Sequence, residues 1–198
     1  MNAVDVIGYA YHADIYCVEH GESLPDIDPE GNGKGAIFCG HEADCLLRCA
    51  ACGELLEGAA LTPDGVQCEL EMLLTADVTD RWARDAAADL LTVAAESLSP
   101  LARAYVQALA DDDYPSTVAG TRAVLALADG HDGVLPAYVW PGGYPAFYVD
   151  ADGAVLCVEC ANEGGYSAPV VAVSINYEDS ELYCDNCNCR IESAYADD

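Results

Sequence analysis

Tyr16-Cys17-Val18-Glu19-His20, followed by Cys49-Ala50-Ala51-Cys52-Gly53-Glu54-Leu55-Leu56-Glu57, has a counterpart near the other end of the chain. There Leu156-Cys157-Val158-Glu159-Cys160 precedes Cys184-Asp185-Asn186-Cys187-Asn188-Cys189-Arg190-Ile191-Glu192. A C-x2-C spacing lets one tight turn aim two thiolates at one ion, and two such turns complete a tetrahedron. Cys157, Cys160, Cys184 and Cys187 meet this rule with 23 residues between the turns. Cys17, His20, Cys49 and Cys52 meet it with 28, His20 standing where Cys160 stands in the other group. The spacing predicts two structural zinc ions, because a site with four protein ligands leaves no open position for water. Gly53 follows the first turn and Asn188 the second. Both tolerate the left-handed conformation in which such a turn ends.

Working outward, the copies imply an internal duplication. The predicted fold is α+β, two β lobes with a helical insert: residues 1–76, 77–133 and 134–198. In the first lobe, Val4 to Tyr16 reads as one or two strands and Ser23 to Gly35 as a loop. Leu61-Thr62-Pro63-Asp64-Gly65-Val66 reads as a turn leading into a strand through Leu70. The insert is rich in Ala and Leu and holds no cysteine. Its first helix, capped by Asp77 or Thr79, would carry Trp82, Ala86, Leu90 and Val93 on one face. Ser99-Pro100 opens the second helix. The third starts from a Ser116 cap after the polar break Asp111-Asp112-Asp113 and ends near Gly130. In the last lobe, Asp150-Ala151-Asp152-Gly153 is a hairpin turn between Pro145–Val149 and Ala154–Cys157, and Val170 to Tyr177 is a strand.

The formal net charge is -28, from 35 acidic and 7 basic residues, and Lys34 is the single lysine. Acids occur in every region. Such a surface repels nucleic-acid backbones and anionic membranes, which excludes both as direct partners. An acidic, lysine-poor surface is also what a halophile-like protein carries. Met1 to Ala10 lacks the basic start and long apolar run of a secretion signal, and no stretch approaches the ~20 apolar residues of a membrane span. The expected location is therefore the cytoplasm, or host cytoplasm or virion for a viral chain. Eleven cysteines in a reducing compartment read as metal ligands before disulfides.

Several weaker signals lead elsewhere. Cys39, His41 and Cys45 lie between the two turns of the first lobe and define a third, open metal site in one alternative. Cys189 competes with Cys187 through C-x-C geometry, and Cys68 reads as a buried small hydrophobe. Cys45-x3-Cys49-x2-Cys52 matches the spacing of radical S-adenosylmethionine enzymes, but the chain lacks the βα alternation of their barrel. Asp26-Ile27-Asp28-Pro29-Glu30-Gly31 begins like a calcium loop yet has Ile37 at the twelfth position. Gly31-Asn32-Gly33-Lys34-Gly35 shares only composition with a phosphate loop. His12 and His131 are isolated and read as polar surface residues.

With Cys49-x2-Cys52-Gly53 and Cys184-x2-Cys187 in hand, the chain resembles zinc-ribbon proteins. The whole arrangement is similar to small zinc-ribbon proteins of phages, haloarchaea or actinobacteria. The resemblance covers about two thirds of the chain, and His20 departs from its all-cysteine pattern. It implies metal but no reaction. Three functions follow as expectations: a non-enzymatic accessory or protein-interaction protein acting on a partner protein; an acidic mimic of nucleic acid that inhibits a basic host protein; or a small metalloenzyme using the open site at Cys39, His41 and Cys45.

Overall fold

The computed structural model describes residues 4–111, 113, 115–139, 142–164 and 167–195, and for Pro115 the backbone alone. The chain is α+β and divides into two compact units: Met1–Thr75 with Ala88–Ser97, and Ala76–Ala87 with Leu98–Asp198.

In the first unit β1 (Val6–Tyr11) and β2 (Asp14–Cys17) form a hairpin, and β3 (Gly35–Phe38) pairs with the other edge of β1. Tyr9 is central, opposite Tyr16 on one side and Ala36 on the other. The turn holds His12 and Ala13 at φ 51° and 62°, the left-handed pair of a two-residue hairpin. A single turn of helix, α1 (Val18–Glu22), leaves β2. Short strands β4 (Glu42–Ala43) and β5 (Ala60–Leu61) pair in parallel. Ile7, Ile37, Cys49 and Leu56 form a small buried cluster between the sheet and the second cysteine turn.

The predicted strand through Leu70 is instead a helix, α2 (Pro63–Thr75). Thr62 accepts a hydrogen bond from the Gly65 amide at 3.0 Å, and Pro63 occupies the first helical position. Those residues are a cap and a helix start, which a Pro-Asp-Gly string disguises as a turn. Val66, Glu69, Leu70 and Leu73 are buried at helical spacing, while Cys68 lies off that stripe and is exposed, contrary to its reading as a buried hydrophobe.

Helix α3 (Arg81–Ala94) follows, and a 3-10 turn spans Ala95–Ser97. The buried stripe of α3 is Ala83, Ala87, Leu90 and Ala94, and Trp82 is 51% exposed. Those positions repeat at helical spacing around Leu90, and Trp82 lies off the stripe. Helix α4 (Pro100–Ala110) is capped as predicted, Ser99 accepting from the Ala102 amide at 3.2 Å. Helix α5 (Pro115–Asp129) starts at Pro115, one residue before the expected Ser116 cap. Asp112 of the predicted polar break lies outside the described residues.

In the second unit β7 (Tyr144–Asp150) is central: β6 (Tyr138–Val139) and β8 (Val155–Leu156) flank it, and β9 (Val170–Ile175) pairs along its length. Tyr148 faces Leu156 on one side and Val173 on the other. The predicted hairpin turn is present, with Gly153 at φ 88° and the Asp150 carboxylate accepting from the Asp152 and Ala154 amides. Helix α6 (Val158–Asn162) is again a single turn leaving the hairpin. Helix α5 packs on β9, its Gly120 backbone against Val171. The core joins Leu101, Val124, Ala128, Tyr148 and Leu156 to Cys157, Cys160 and Cys184. Among the described residues no helix is long and apolar enough to cross a membrane.

Candidate metal centres

Cys17 ends β2 and becomes the N-cap of α1, at φ -63° and ψ 167°. Cys157 follows β8 and becomes the N-cap of α6, at φ -69° and ψ 167°. One helical turn then brings His20 or Cys160, three positions on, back over the cap residue. The second cysteine pair in each unit sits in a tight turn. The Cys49 amide donates to the Glu54 carbonyl at 2.8 Å and the Gly53 amide to the Cys49 carbonyl at 2.7 Å. The Cys184 amide donates to the Cys189 carbonyl at 2.9 Å and the Asn188 amide to the Cys184 carbonyl at 2.8 Å. Gly53 (φ 76°) and Asn188 (φ 57°) hold the left-handed position in each turn, as the sequence predicts.

The same frame ties each turn to its hairpin. The Ala50 amide donates to the Ile15 carbonyl and the Asp185 amide to the Val155 carbonyl, both at 2.8 Å. One step outward, the Leu56 amide reaches the Leu47 carbonyl and the Ile191 amide the Leu182 carbonyl, again at 2.8 Å in both. Gly8 permits the close approach in the first unit, since a Cβ there would meet Leu56 at 2.4 Å and the Tyr16 carbonyl at 2.5 Å.

These constraints bring all eight predicted residues into two groups. The donor atoms of Cys17, His20, Cys49 and Cys52 lie within 4.8 Å of one another, as do those of Cys157, Cys160, Cys184 and Cys187. The His20 Nδ1 is 3.1 Å from the Cys17 sulfur and 3.7 Å from that of Cys49. The Cys157 and Cys187 sulfurs are 3.7 Å apart. Bonds of about 2.3 Å to sulfur and about 2.1 Å to nitrogen give tetrahedral edges of about 3.8 Å and about 3.6 Å. The groups therefore fit an ion at their centres, the Cys17–His20 edge being the tightest. Cys49 and Cys184 are buried at the inner vertices, while Cys52 and Cys187 lie at the surface.

Charge points the same way. Burial opposes ionisation of Cys49, yet the amides of Cys17, Cys52 and Ala51 overcome it and bring its pKa down to about 6. Beside that thiolate Cys52 is pushed the other way. The Glu54 amide favours its ionised form, but burial and the Cys49 and Cys17 sulfurs raise it to about 11. In the second group the amide and thiol of Cys189 lower Cys187 to about 6, while burial raises Cys157 and Cys160. Without a cation each cluster favours one thiolate and resists more. A bound dication removes that resistance by pairing with the accumulating negative charge.

Of the two candidates, Cys187 joins the second group and Cys189 stays outside it, supplying the carbonyl that closes the turn. Cys39, His41 and Cys45 do not form a comparable group among the described residues; His41 and Cys45 are exposed. No two cysteines form a disulfide.

Two arrangements escaped sequence reasoning. His12, Asp28 and Glu30 also bring donor atoms within 4.8 Å. The hairpin turn carries His12 over the acidic loop, 3.7 Å from the Asp28 carboxylate, which the Glu30 and Asn32 amides occupy. Glu69, buried on α2, accepts from the Leu46 amide at 2.9 Å and anchors the strand of chain leading to Cys49. Its place on a helical stripe of apolar residues was the available signal, hidden by reading that segment as a strand.

Comparison with family models, with curated proteins and with solved structures returns no match. The resemblance to zinc-ribbon proteins thus rests on the two cysteine-rich groups alone.

Proposed function

We propose that this chain is a non-enzymatic, zinc-stabilised accessory or protein-interaction protein, built from two zinc-ribbon-like lobes of duplicated origin. The observation that supports it best is the matched hydrogen-bond frame around the two four-donor groups, maintained although the side chains around it differ. Ile15, Ala50 and Gly53 occupy the places of Val155, Asp185 and Asn188. A backbone frame repeated around both groups with different side chains holds the donors in place and leaves the surrounding surface free to differ, as a scaffold requires. Thiolate and imidazole donors in a tetrahedron suit zinc, and four protein ligands leave no coordination site for a substrate. A reducing, cytoplasmic setting keeps such thiols available.

The test is metal content by native mass spectrometry, joined to X-ray absorption at the zinc edge. The expected result is two zinc ions per chain, with seven sulfurs and one nitrogen shared between their shells. A coloured iron–sulfur chromophore, or a water in either shell, overturns the reading.

The charge of -28 supports a second reading, in which the acidic surface imitates nucleic acid and occupies a basic site on a host protein. Binding to such a target that survives neutralisation of the acidic surface dismisses it.

A further inference from the structure

Three tyrosines from distant parts of the chain meet on the surface of the second unit. Tyr144 opens β7, Tyr177 follows β9, and Tyr195 lies in the C-terminal segment. The ring centroids of Tyr144 lie 5.6 Å from Tyr177 and 6.0 Å from Tyr195, and the Tyr177 and Tyr195 rings stack at 6.4 Å with planes 8° apart. Tyr177 is 49% exposed and Tyr195 62%. The cluster is fixed by the backbone: the Tyr195 amide donates to the Tyr177 carbonyl at 2.8 Å and the Ala194 amide to the Asn176 carbonyl at 2.9 Å. Beneath them the buried Asn176 side chain donates to the carbonyls of Asp179, Ile191 and Glu192. The Tyr195 hydroxyl bonds that of Tyr144 at 3.0 Å.

The Asn176 amide anchors the chain at Ile191, which belongs to the core, and the same network leaves the faces of Tyr177 and Tyr195 open to water. Preorganised exposed aromatic surface of this kind marks a binding face. The chemistry around it selects the occupant. Between residues 135 and 195 the sequence holds nine acidic residues, Glu178, Asp179 and Glu192 among them, and one basic residue, Arg190. A second copy would bring two chains of charge -28 together. Nucleic acid would meet the same repulsion. A proline-rich segment gains nothing from the acids. An arginine gains from both features, its guanidinium lying on tyrosine faces inside a negative field.

We propose that Tyr144, Tyr177 and Tyr195 form the contact face for an arginine-bearing, positively charged segment of a partner protein. This rests on the protein-interaction reading and names its surface and the class of its partner.

The test uses the zinc-loaded full chain and a fluorescent Arg-Gly repeat peptide at physiological salt. Controls are the same peptide with citrulline for arginine and a proline-rich peptide. The arginine peptide is expected to bind, with the amide resonances of residues 177 and 195 shifting on titration, and citrulline to abolish binding. Tyr177→Ala and Tyr195→Ala should each weaken it about fivefold, while Tyr195→Phe, which keeps the ring, should bind like the parent. Absence of binding, binding unchanged in folded alanine variants, a preference for the proline-rich peptide, or self-association that Tyr177→Ala abolishes each overturns the inference. Zinc content is read separately, so failure of the tyrosine face is distinguishable from failure of the scaffold.

Discussion

The sulfurs of Cys157 and Cys187 sit 3.7 Å apart although the residues are thirty positions apart in sequence. That distance matches a tetrahedral edge of four thiolates around one ion. Holding four thiol groups so close without a cation costs electrostatic repulsion as they ionise. Structural zinc sites contribute on the order of 10–16 kcal/mol in small peptides. This rivals the roughly 5–15 kcal/mol that stabilises a typical domain. Exhaustive chelation should therefore abolish the cooperative thermal transition of both units, and two equivalents of zinc should restore it. An unaltered melting curve in the metal-free chain would overturn the structural role of the ions.

Cys184 is 1% exposed and Cys68 is exposed, which makes them a matched pair of probes. Cys184→Ser should remove one zinc from the native mass and destabilise the second unit by at least about 3 kcal/mol, as loss of a metal does. Cys68→Ser should leave metal content intact and move stability by no more than about 0.5 kcal/mol. Equal effects of the two in urea titrations would contradict the assignment of ligands.

Asn188 sits at φ 57° in the turn that presents Cys184 and Cys187. A left-handed conformation costs most side chains about 1–2 kcal/mol and glycine very little. Asn188→Gly is predicted to match or exceed the parent in urea midpoint, and Asn188→Val to fall below it. The reverse order would show that the asparagine side chain, and not its backbone tolerance, holds the turn.

Gly120 lies in the middle of α5, where alanine ordinarily gains up to about 1 kcal/mol of helix propensity. Here a Cβ would meet the Val171 carbonyl at 2.6 Å and its Cβ at 2.7 Å. Gly120→Ala should therefore destabilise by about 1–3 kcal/mol, the cost of overpacking. A stabilised Gly120→Ala variant in thermal melts would mean that α5 and β9 are not in this contact.

Asp28 couples the acidic loop to pH. Burial works to raise its pKa, but hydrogen bonds from the Asn32 amide and side chain and the Glu30 amide, with His12 nearby, hold it below the usual carboxylate value. A depressed folded pKa gives stability that is present above the ordinary value near 3.8 and is lost as pH falls through the folded one. The gap in urea midpoint between the parent and Asp28→Asn should be open at pH 7 and shrink on acidification toward pH 3. A gap independent of pH would contradict this.

The eight donor residues were legible because each pair is local: three positions in a helical turn or a tight turn set the separation whatever surrounds it. The second unit's hairpin was legible from Asp150-Ala151-Asp152-Gly153, whereas the first was readable only as one or two strands, because His12-Ala13 carries no glycine or proline to announce its turn. The strand expected through Leu70 failed for a physical reason. Thr62 and Pro63 carry the same signals in a turn as in a helix cap, and only the burial of Val66, Glu69, Leu70 and Leu73 on one side separates the two. Trp82 was misplaced because hydrophobicity alone ranks it above Ala83 and Ala87, whereas the helical phase that buries Leu90 and Ala94 runs through those two alanines.

What the sequence by itself determined is the two groups of residues that could hold metal ions and the conformation of the turns that carry them, since both follow from bonds between near neighbours. Only the tertiary structure decided which carbonyls lock those turns to their hairpins, that Cys39, His41 and Cys45 stay apart, and that Tyr144, Tyr177 and Tyr195 share one face. Such contacts join residues dozens of positions apart. They depend on how strands and helices compete for the same buried surface, and no short-range pattern encodes the outcome.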